Sequence, residues 1–272
     1  MPPRLTIITP TLNQAAFIER TITSVLDQGY EDLEYFVVDG GSTDGTVEII
    51  ERYADRVAWW VSEPDQGQTD ALNKALARAT GDVVAYINSD DYYLPGAFAA
   101  AMGAFERAAG ARWVAGTCRY LHPDGTIDTD WVPGAPRGPR GRLIHERWYA
   151  PQASSFWRRD VFEQYGRLRE DLHFVFDTEF GLRLALAGVR PLVVDALLAV
   201  RFLHDEAKSA DASRFRDEYD RVAHELAAGL SARDRAAYRA WRAVTAPRRA
   251  LFGVRERLGL LHLRERLRPP SA

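Results

Sequence analysis

Residues 1–91 alternate between short apolar stretches and segments with helical spacing, and this alternation strongly constrains the fold. Single helices between strands predict right-handed crossovers and a mostly parallel α/β sheet flanked by helices. A polar cluster follows each apolar stretch. The stretches are RLTIITP, LEYFVVD, VAWWVS and DVVAYI, and the clusters are residues 9–13, 39–44, 63–68 and 88–91. Because ligands bind beyond the carboxyl ends of such strands, the four clusters are predicted to converge on one rim.

Local signals predict the bounds of the first helix. Asn13 is a typical N-cap residue, and apolar residues recur at helical spacing over 17–26. Gly29 is predicted to end this helix.

The pattern changes beyond about residue 110. A hairpin is predicted with Asp124 and Gly125 in its turn. The Pro, Gly and Arg-rich loop at 133–142 is predicted to be mobile. The remaining predicted elements are helices near 158–164 and within DTEFGLRLALAG, the strands PLVVD and ALLAVRFLH, and a helical end over 211–272 with a break at Pro247.

The composition excludes several classes of protein. A chain of 272 residues that is 46% hydrophobic can bury a sizeable core. The net charge of −3 argues against general nucleic-acid binding. The single cysteine, Cys118, cannot form an intramolecular disulfide, and no apolar run approaches the roughly 18 residues of a membrane span. These features predict a cytoplasmic protein that is attached at most to the inner surface of a membrane.

Basic residues are concentrated at the end of the chain. From Arg233 onward there are eleven arginines and three acidic residues. Apolar residues within 248–268 lie near helical spacing among these arginines. One interpretation is an interfacial helix on anionic lipid. The other is a surface or homodimer helix with a solvated basic face.

Asp90 and Asp91 are adjacent carboxylates after an apolar strand, with Asn88 and Ser89 before them. Closely packed like charges raise each other's pKa unless a cation or hydrogen-bond donors compensate. A solvated turn is one interpretation. A divalent-cation site is the other, because Mg²⁺ takes one or two carboxylates together with substrate phosphate oxygens. The sequence has no Walker-type loop and no GxGxxG motif, so phosphates would be held in another way.

Seven motifs then occur in order: TIITPTLNQ, YFVVDGGSTDGT, SEPDQGQTDALNKAL, YINSDD, PQASSFWRR, FDTEFGLRLALAG and RFLHDEAKS. Together they resemble the family 2 glycosyltransferases over about residues 4–210. The resemblance implies the Rossmann-like GT-A fold over 1–210. It also implies a nucleotide-sugar half at about 1–110, an acceptor half at about 111–210 and a helical, basic extension over 211–272.

The resemblance implies that the N-terminal half binds the nucleotide. Thr9, Pro10 and Asp39 are implied to hold the base, where a carboxylate can accept the imide N–H of uracil or thymine. Capping of the following turn is the alternative for Asp39, and a solvated helix face is the alternative around Lys74. The further donor contacts implied by the resemblance are Asn13, Asp70, Asn73, Lys74, Asn88 and Ser89.

NSDD lies where the family has its DxD motif, so Asn88 replaces the usual first Asp and Asp90 is implied to be the principal metal ligand. The resemblance implies that His204 approaches the metal or the diphosphate, with Mn²⁺ or Mg²⁺ as the cation. A structural histidine is the alternative. Asp91 is implied to lie behind these ligands or to orient the acceptor.

FDTEFGLRL aligns with the family's segment for the catalytic base, which implies this role for Asp177. Phe176 replaces the Glu that usually precedes the base, and Glu179 would point elsewhere on a helix. Gln152 and Trp148 could line the acceptor side, with simple packing as the alternative for Trp148.

The resemblance implies inverting transfer of a sugar from a nucleotide-diphosphate donor, with UDP-sugar favoured. The implied acceptor is a hydroxyl of a saccharide or a lipid-linked saccharide in cell-surface polysaccharide or glycoconjugate synthesis. A nucleotidyltransferase is one alternative, although TPTLNQ lacks its glycine-rich, basic first loop. A nucleotide-sugar-binding protein without catalysis is another, because Asn88 and Phe176 depart from the family pattern.

Overall fold

The computed structural model describes residues 2–134, 144, 150–204, 212–240 and 242–244. Strands and helices alternate in the N-terminal half, as the sequence predicts. The elements there are β1 (Leu5–Thr11), α1 (Ile18–Leu26), β2 (Leu33–Asp39), α2 (Thr46–Glu51), β3 (Trp59–Ser62), α3 (Gln68–Arg78), β4 (Val83–Tyr86), β5 (Tyr92–Tyr93) and α4 (Ala97–Arg107).

The C-terminal half begins with the predicted hairpin. Gly125 in its turn has a φ of 84°, and Oδ1 of Asp124 accepts the N–H of Thr126 at 2.8 Å. The elements in this half are β6 (Trp113–Leu121), β7 (Ile127–Trp131), β8 (Ser155–Arg158), α5 (Asp160–Tyr165), α6 (Phe176–Leu186), β9 (Leu192–Phe202) and α7 (Ala212–Ala228). A helical stretch at 232–240 follows α7.

Among the described residues, nine strands form one sheet in the order β3-β2-β1-β4-β8-β6-β9-β5, with β7 paired to β6. The first four of these are parallel, so the ends of β1 and β2 lie side by side with Thr11 opposite Asp39. In the other half, β8 is antiparallel to β4 and β6, whereas β9 is parallel to β6. The predicted α/β class is confirmed, with most of its parallel pairing in the N-terminal half.

The two faces of the sheet pack against different helices. Ile8 of β1 belongs to a buried cluster with side chains of α3, α5, α6 and α7. Ile7, its neighbour in the chain, belongs to a second cluster with side chains of α1, α2 and α4. Successive side chains of a strand point to opposite faces, so the sheet lies between two helical layers. Burial on both faces explains the continuous apolar character of the strands.

Asn13 is not the N-cap of α1, and that prediction is wrong. The helix begins at Ile18, and Asn13 has a positive φ of 52°, a region that Asn tolerates better than most residues. The backbone N–H of Asn13 donates to Oγ of Ser42 at 2.7 Å, and its Oδ1 accepts the N–H of Thr43 at 2.9 Å. Asn13 therefore joins the loop after β1 to the loop after β2.

The stretches PLVVD and ALLAVRFLH form one strand, β9, and not the two that were predicted. The pairing of β9 with β6 shifts register around Thr117, between the pairs Ala115–Val193 and Cys118–Ala199. These irregularities let β9 continue through Asp195 instead of ending there.

Helix α7 packs on the core of the domain. Tyr219, Val222 and Ala223 are buried in the cluster that also contains side chains of α6. No helix within the described residues is long and apolar enough to cross a membrane. Trp148, the basic segment 248–268 and all but the first two residues of the loop 133–142 lie outside the described residues.

Candidate active site

A cavity of about 310 Å³ lies at the carboxyl ends of β1 and β4. Its walls come from the polar clusters 9–13, 63–68 and 88–91, which confirms the predicted convergence for these three. Four residues predicted to contact the donor or the metal line it: Pro10, Asn88, Ser89 and Asp90. The other lining residues are Thr11, Leu12, Gln14, Asp65, Gly67, Gln68 and Ala71.

Two residues that line this cavity each have a polar atom without a hydrogen-bond partner among the described residues. The atoms are Oγ1 of Thr11 and Oε1 of Gln14, and both are buried. A buried polar atom without a partner is costly unless a ligand or water satisfies it. Neither residue was predicted to contact the donor, although both lie in TPTLNQ, where Thr11 ends β1 and Gln14 follows three residues later.

Asn88, which lines the cavity, is held by two neighbouring side chains. Nε2 of Gln68 donates to Oδ1 of Asn88 at 2.7 Å, and Nδ2 of Asn88 donates to Oδ2 of Asp91 at 3.5 Å. The hydroxyl of Thr21, which is buried on α1, lies 2.8 Å from the carbonyl of Ser89 and 2.6 Å from that of Asp91. Helix α1 therefore fixes the turn that presents Asp90.

Asp90 is paired with His204, which lies beyond the end of β9. Nε2 of His204 is 3.1 Å from Oδ2 of Asp90, and the two side chains are 8% and 20% exposed. The imidazole packs against Phe17 with a ring-centre distance of 4.5 Å. Arg20 of α1 donates to the backbone carbonyl of Asp90 at 3.2 Å. The structure thus brings together the two residues that were predicted as metal ligands.

The oxygen of Asp90 and the nitrogen of His204 suit a cation that binds together with phosphate. No group of three or more His, Cys, Asp or Glu side chains within the described part of the chain could hold a metal ion. Hard divalent cations with one or two protein ligands complete their shell with phosphate oxygens and water. Asp90 and His204 fit such a cation, because the adjoining cavity leaves room for these further ligands.

Asp91 is buried behind Asp90 and does not line the cavity. Its Oδ1 accepts the N–H of Phe202 at 3.0 Å, which ties the turn to the end of β9. Burial, and then the charge of Asp90, raises the pKa of Asp91 well above its usual value, while Arg201 opposes this shift. The raised pKa limits the negative charge beside Asp90.

Thr9 and Asp39 lie beneath the rim and do not line the cavity. Both are fully buried, and Oγ1 of Thr9 accepts the hydroxyl of Tyr35 at 3.0 Å. The carboxylate of Asp39 accepts the backbone N–H groups of Gly41 and Ser42 and the hydroxyls of Ser42 and Ser62. The geometry therefore favours the turn-capping alternative for Asp39.

The polar side chains of α3 are engaged within the protein. The amide of Asn73 donates to the carbonyl of Leu168 at 2.8 Å and accepts its N–H at 3.2 Å. Nζ of Lys74 lies 3.1 Å from Glu63 and 3.4 Å from Asp70. Asn73 thus braces the chain before α6, whereas Asp70 and Lys74 form an ion pair at the edge of the helix.

Asp177 lies in the first turn of α6 beside a separate small cavity of about 20 Å³. Burial raises its pKa to about 6, against the lowering effects of Arg201 and of hydrogen bonds from Thr178. Gln152 lines the same cavity and donates to the backbone carbonyl of Tyr86. Glu179 points elsewhere, since it is buried against Arg183 at 2.8 Å.

Arg201 of β9 is a charged residue that the sequence analysis missed. Burial disfavours its charge, but Asp91, Tyr120 and Asp177 outweigh this effect and raise the pKa of Arg201. It acts in turn on both carboxyl groups. The available signal was a lone cation inside the apolar run ALLAVRFLH. Arg201 couples the turn at Asp90 electrostatically to Asp177.

Comparison with known proteins accounts for this combination of residues. The model of the family described as Glycosyl transferase family 2 matches residues 6–183. This chain belongs to that family. This chain is 29% identical over 209 residues to an uncharacterized glycosyltransferase of Mycobacterium tuberculosis. The aligned region covers 72% of this chain and 74% of the relative.

Two further relatives match the glycosyltransferase over shorter regions. The putative teichuronic acid biosynthesis glycosyltransferase TuaG of Bacillus subtilis is 42% identical over 92 residues, or 33% of this chain and 36% of the relative. The GalNAc(5)-diNAcBac-PP-undecaprenol beta-1,3-glucosyltransferase of Campylobacter jejuni is 32% identical over 104 residues, which are 37% of this chain and 34% of the relative.

Solved structures share the fold of the glycosyltransferase. S. aureus TarS 1–349 in complex with UDP has a TM-score of 0.63 at 19% identity, covering 84% of this chain and 66% of that one. The mannosyltransferase PcManGT from Pyrobaculum calidifontis, in complex with GDP-Man and Mn²⁺, has a TM-score of 0.65 at 21% identity. The match covers 96% of this chain and 81% of the mannosyltransferase. These similarities establish the GT-A fold.

Proposed function

We propose that this glycosyltransferase transfers a sugar from a UDP-sugar to a hydroxyl of a saccharide or lipid-linked saccharide, with a divalent cation and with inversion at the anomeric carbon. The observation that supports this most strongly is the position of Asp177 relative to the donor cavity. Gln152, beside Asp177, donates to the carbonyl of Tyr86, two residues before Asn88. The proton acceptor and the cavity therefore adjoin the same strand, β4.

Asp177 is the general base of the proposed reaction. With a pKa of about 6, most Asp177 side chains are ionised at neutral pH and can accept a proton. The acceptor hydroxyl gives its proton to this carboxylate while its oxygen forms the new bond to the anomeric carbon. The bond from that carbon to the diphosphate oxygen breaks, and the nucleoside diphosphate leaves from the opposite face, so the configuration inverts.

The donor is assigned to the larger cavity. Thr11 and Gln14, each with a buried polar atom that lacks a partner among the described residues, line it together with Pro10, Asn88 and Ser89. Asp90 and His204 would hold a divalent cation, which would neutralise charge on the departing diphosphate. The neighbours in complex with UDP and with GDP-Man and Mn²⁺ support a nucleotide-sugar donor and a divalent cation for this fold.

Asp39 and Asn73 are not assigned to the donor, because internal partners engage their polar atoms. Asp70 and Lys74 are retained as proposed diphosphate contacts. Their ion pair at the edge of α3 can rearrange at lower cost than a buried bond.

A lipid-linked acceptor and a cytoplasmic location at the inner membrane surface complete the proposal. The Campylobacter relative acts on a saccharide linked to undecaprenol through a diphosphate. The arginine-rich sequence of 248–268 suits contact with anionic lipid.

A donor screen tests the proposed function. Thermal shifts are measured with UDP-, dTDP- and GDP-sugars, each with and without Mn²⁺, and the products of the stabilising donor are then identified. We expect a Mn²⁺-dependent shift with a UDP-sugar and release of UDP on transfer. Release of pyrophosphate would instead indicate a nucleotidyltransferase, and binding without turnover of any donor and acceptor would indicate a protein without catalysis.

A further inference from the structure

The segment 168–175 connects the donor cavity to the helix that carries Asp177. At its start, Asn73 of α3 holds both backbone groups of Leu168. Near its end, Nδ1 of His173 lies 3.5 Å from the position that a Cβ atom on Gly67 would occupy, and Gly67 lines the donor cavity. The segment leads directly into α6. Its conformation therefore sets where Asp177 lies relative to the donor.

Glu218 of α7 holds the end of this segment. Its carboxylate accepts the consecutive backbone N–H groups of His173, Phe174 and Val175 at 2.9, 2.6 and 2.9 Å. The side chain is only 11% exposed. Hydrogen bonds from backbone N–H groups to a shielded carboxylate belong to the stronger class. Val175 is the N-cap of α6, so Glu218 fixes the chain at the point where that helix begins.

Helix α7 can act as a rigid support for Glu218. Tyr219, next to it in the chain, is buried and donates to the carbonyl of Ile144. Arg221, three residues after Glu218 on α7, forms an ion pair with Asp171 of the segment at 2.9 Å. The family match ends at residue 183, so α7 lies outside the matched region.

We propose that Glu218 is a positioning residue for sugar transfer, which holds the start of α6, and with it Asp177, in a fixed position relative to the donor cavity. This inference rests on the proposed function, because it gives Glu218 its effect through the general base. Glu218 does not touch the reacting atoms.

Two variants and a matched control test this role. Glu218→Gln keeps the shape of the side chain and one acceptor oxygen, whereas Glu218→Ala removes both acceptors. Asp217→Asn is the control, because Asp217 is the exposed carboxylate next to Glu218 on the same helix. Since a displacement of about 1 Å can cost roughly 10²-fold in rate, we expect kcat to fall about 10-fold in Glu218→Gln and about 100-fold in Glu218→Ala, with the donor KM within about twofold.

Backbone amide exchange supplies a readout that does not depend on activity. The amides of residues 173–175 should exchange faster in both Glu218 variants and at the wild-type rate in Asp217→Asn. Unchanged exchange, or a lower melting temperature with kcat per folded molecule unchanged, would overturn the inference. Absence of transfer by the wild-type protein would count against the proposed function, and the exchange rates would still decide whether Glu218 holds the segment.

Discussion

Asn88 removes one negative charge from the end of β4, because it lies where the family's DxD motif has its first Asp. Its amide is neutral and is bound to Gln68, and Asp91 is buried with a raised pKa. Asp90, paired with His204, is therefore the carboxylate from the end of β4 that lines the cavity, and the other acidic lining residue, Asp65, follows β3. A cation at this place would depend on the diphosphate for much of its coordination. We accordingly expect tighter Mn²⁺ binding in the presence of UDP than in its absence.

The pKa of Asp177 predicts how turnover depends on pH. The carboxyl group must be ionised to accept a proton, and burial raises its pKa to about 6. Below that pH more of the group is protonated, so kcat should rise with pH and level off above about 6. The measurement is kcat at saturating donor, acceptor and cation. A profile that is flat from about pH 5 to about pH 7 would exclude Asp177 as the titrating base.

At the scale of elements, the sequence predicts what depends on local pattern. The alternation of apolar strands with helices, the hairpin at Gly125 and the polar ends of β1 and β4 are all local, and the structure has them. The N-cap prediction for Asn13 is wrong because the partners of Asn13, Ser42 and Thr43, lie on another loop. The continuity of β9 depends on its pairing with β6, and such pairing across the chain leaves no periodic signal. Arg201 was missed for a similar reason, since its carboxylate neighbours are distant in sequence.

Close packing of β6 on β9 gives a prediction for Gly116. A Cβ atom there would lie 2.5 Å from Cγ of Leu198 and 2.8 Å from the backbone carbonyl oxygen of Ala196. Overpacking of this kind typically costs about 1–3 kcal/mol, so Gly116→Ala should lower the free energy of unfolding by about that amount. Denaturant unfolding provides the measurement. Gly110→Ala is the control, because no atom lies within 4 Å of its Cβ position, and equal stability of both variants would contradict the packing.

At the scale of the whole molecule, we propose different roles for helix α7 and for the sequence after residue 244. Tyr219 and Tyr238 are buried in the main core, so the described C-terminal helices support the catalytic domain. The sequence after residue 244 contains seven arginines and two glutamates. Such a segment is suited to an anionic surface, where each arginine contributes about 1 kcal/mol.

Removal of residues 245–272 tests this division. The truncation spares Tyr238, so we expect the melting temperature to change little. The full chain should float with vesicles that contain anionic lipid, and less so at high salt, whereas the truncated protein should remain unbound. Neutral vesicles are the control. Equal flotation of both proteins would exclude a membrane role for this segment.

The most direct test of the account is the turnover of Asp177→Asn. The amide keeps the shape of the side chain but cannot accept the proton, so kcat should fall by at least about 10²-fold while UDP affinity, measured by calorimetry, stays within about twofold. Asp160→Asn is the matched control, since Asp160 also begins a helix but is 61% exposed and binds Arg112. It should retain wild-type turnover. Near-normal turnover by Asp177→Asn would contradict the central claim that this carboxylate is the general base.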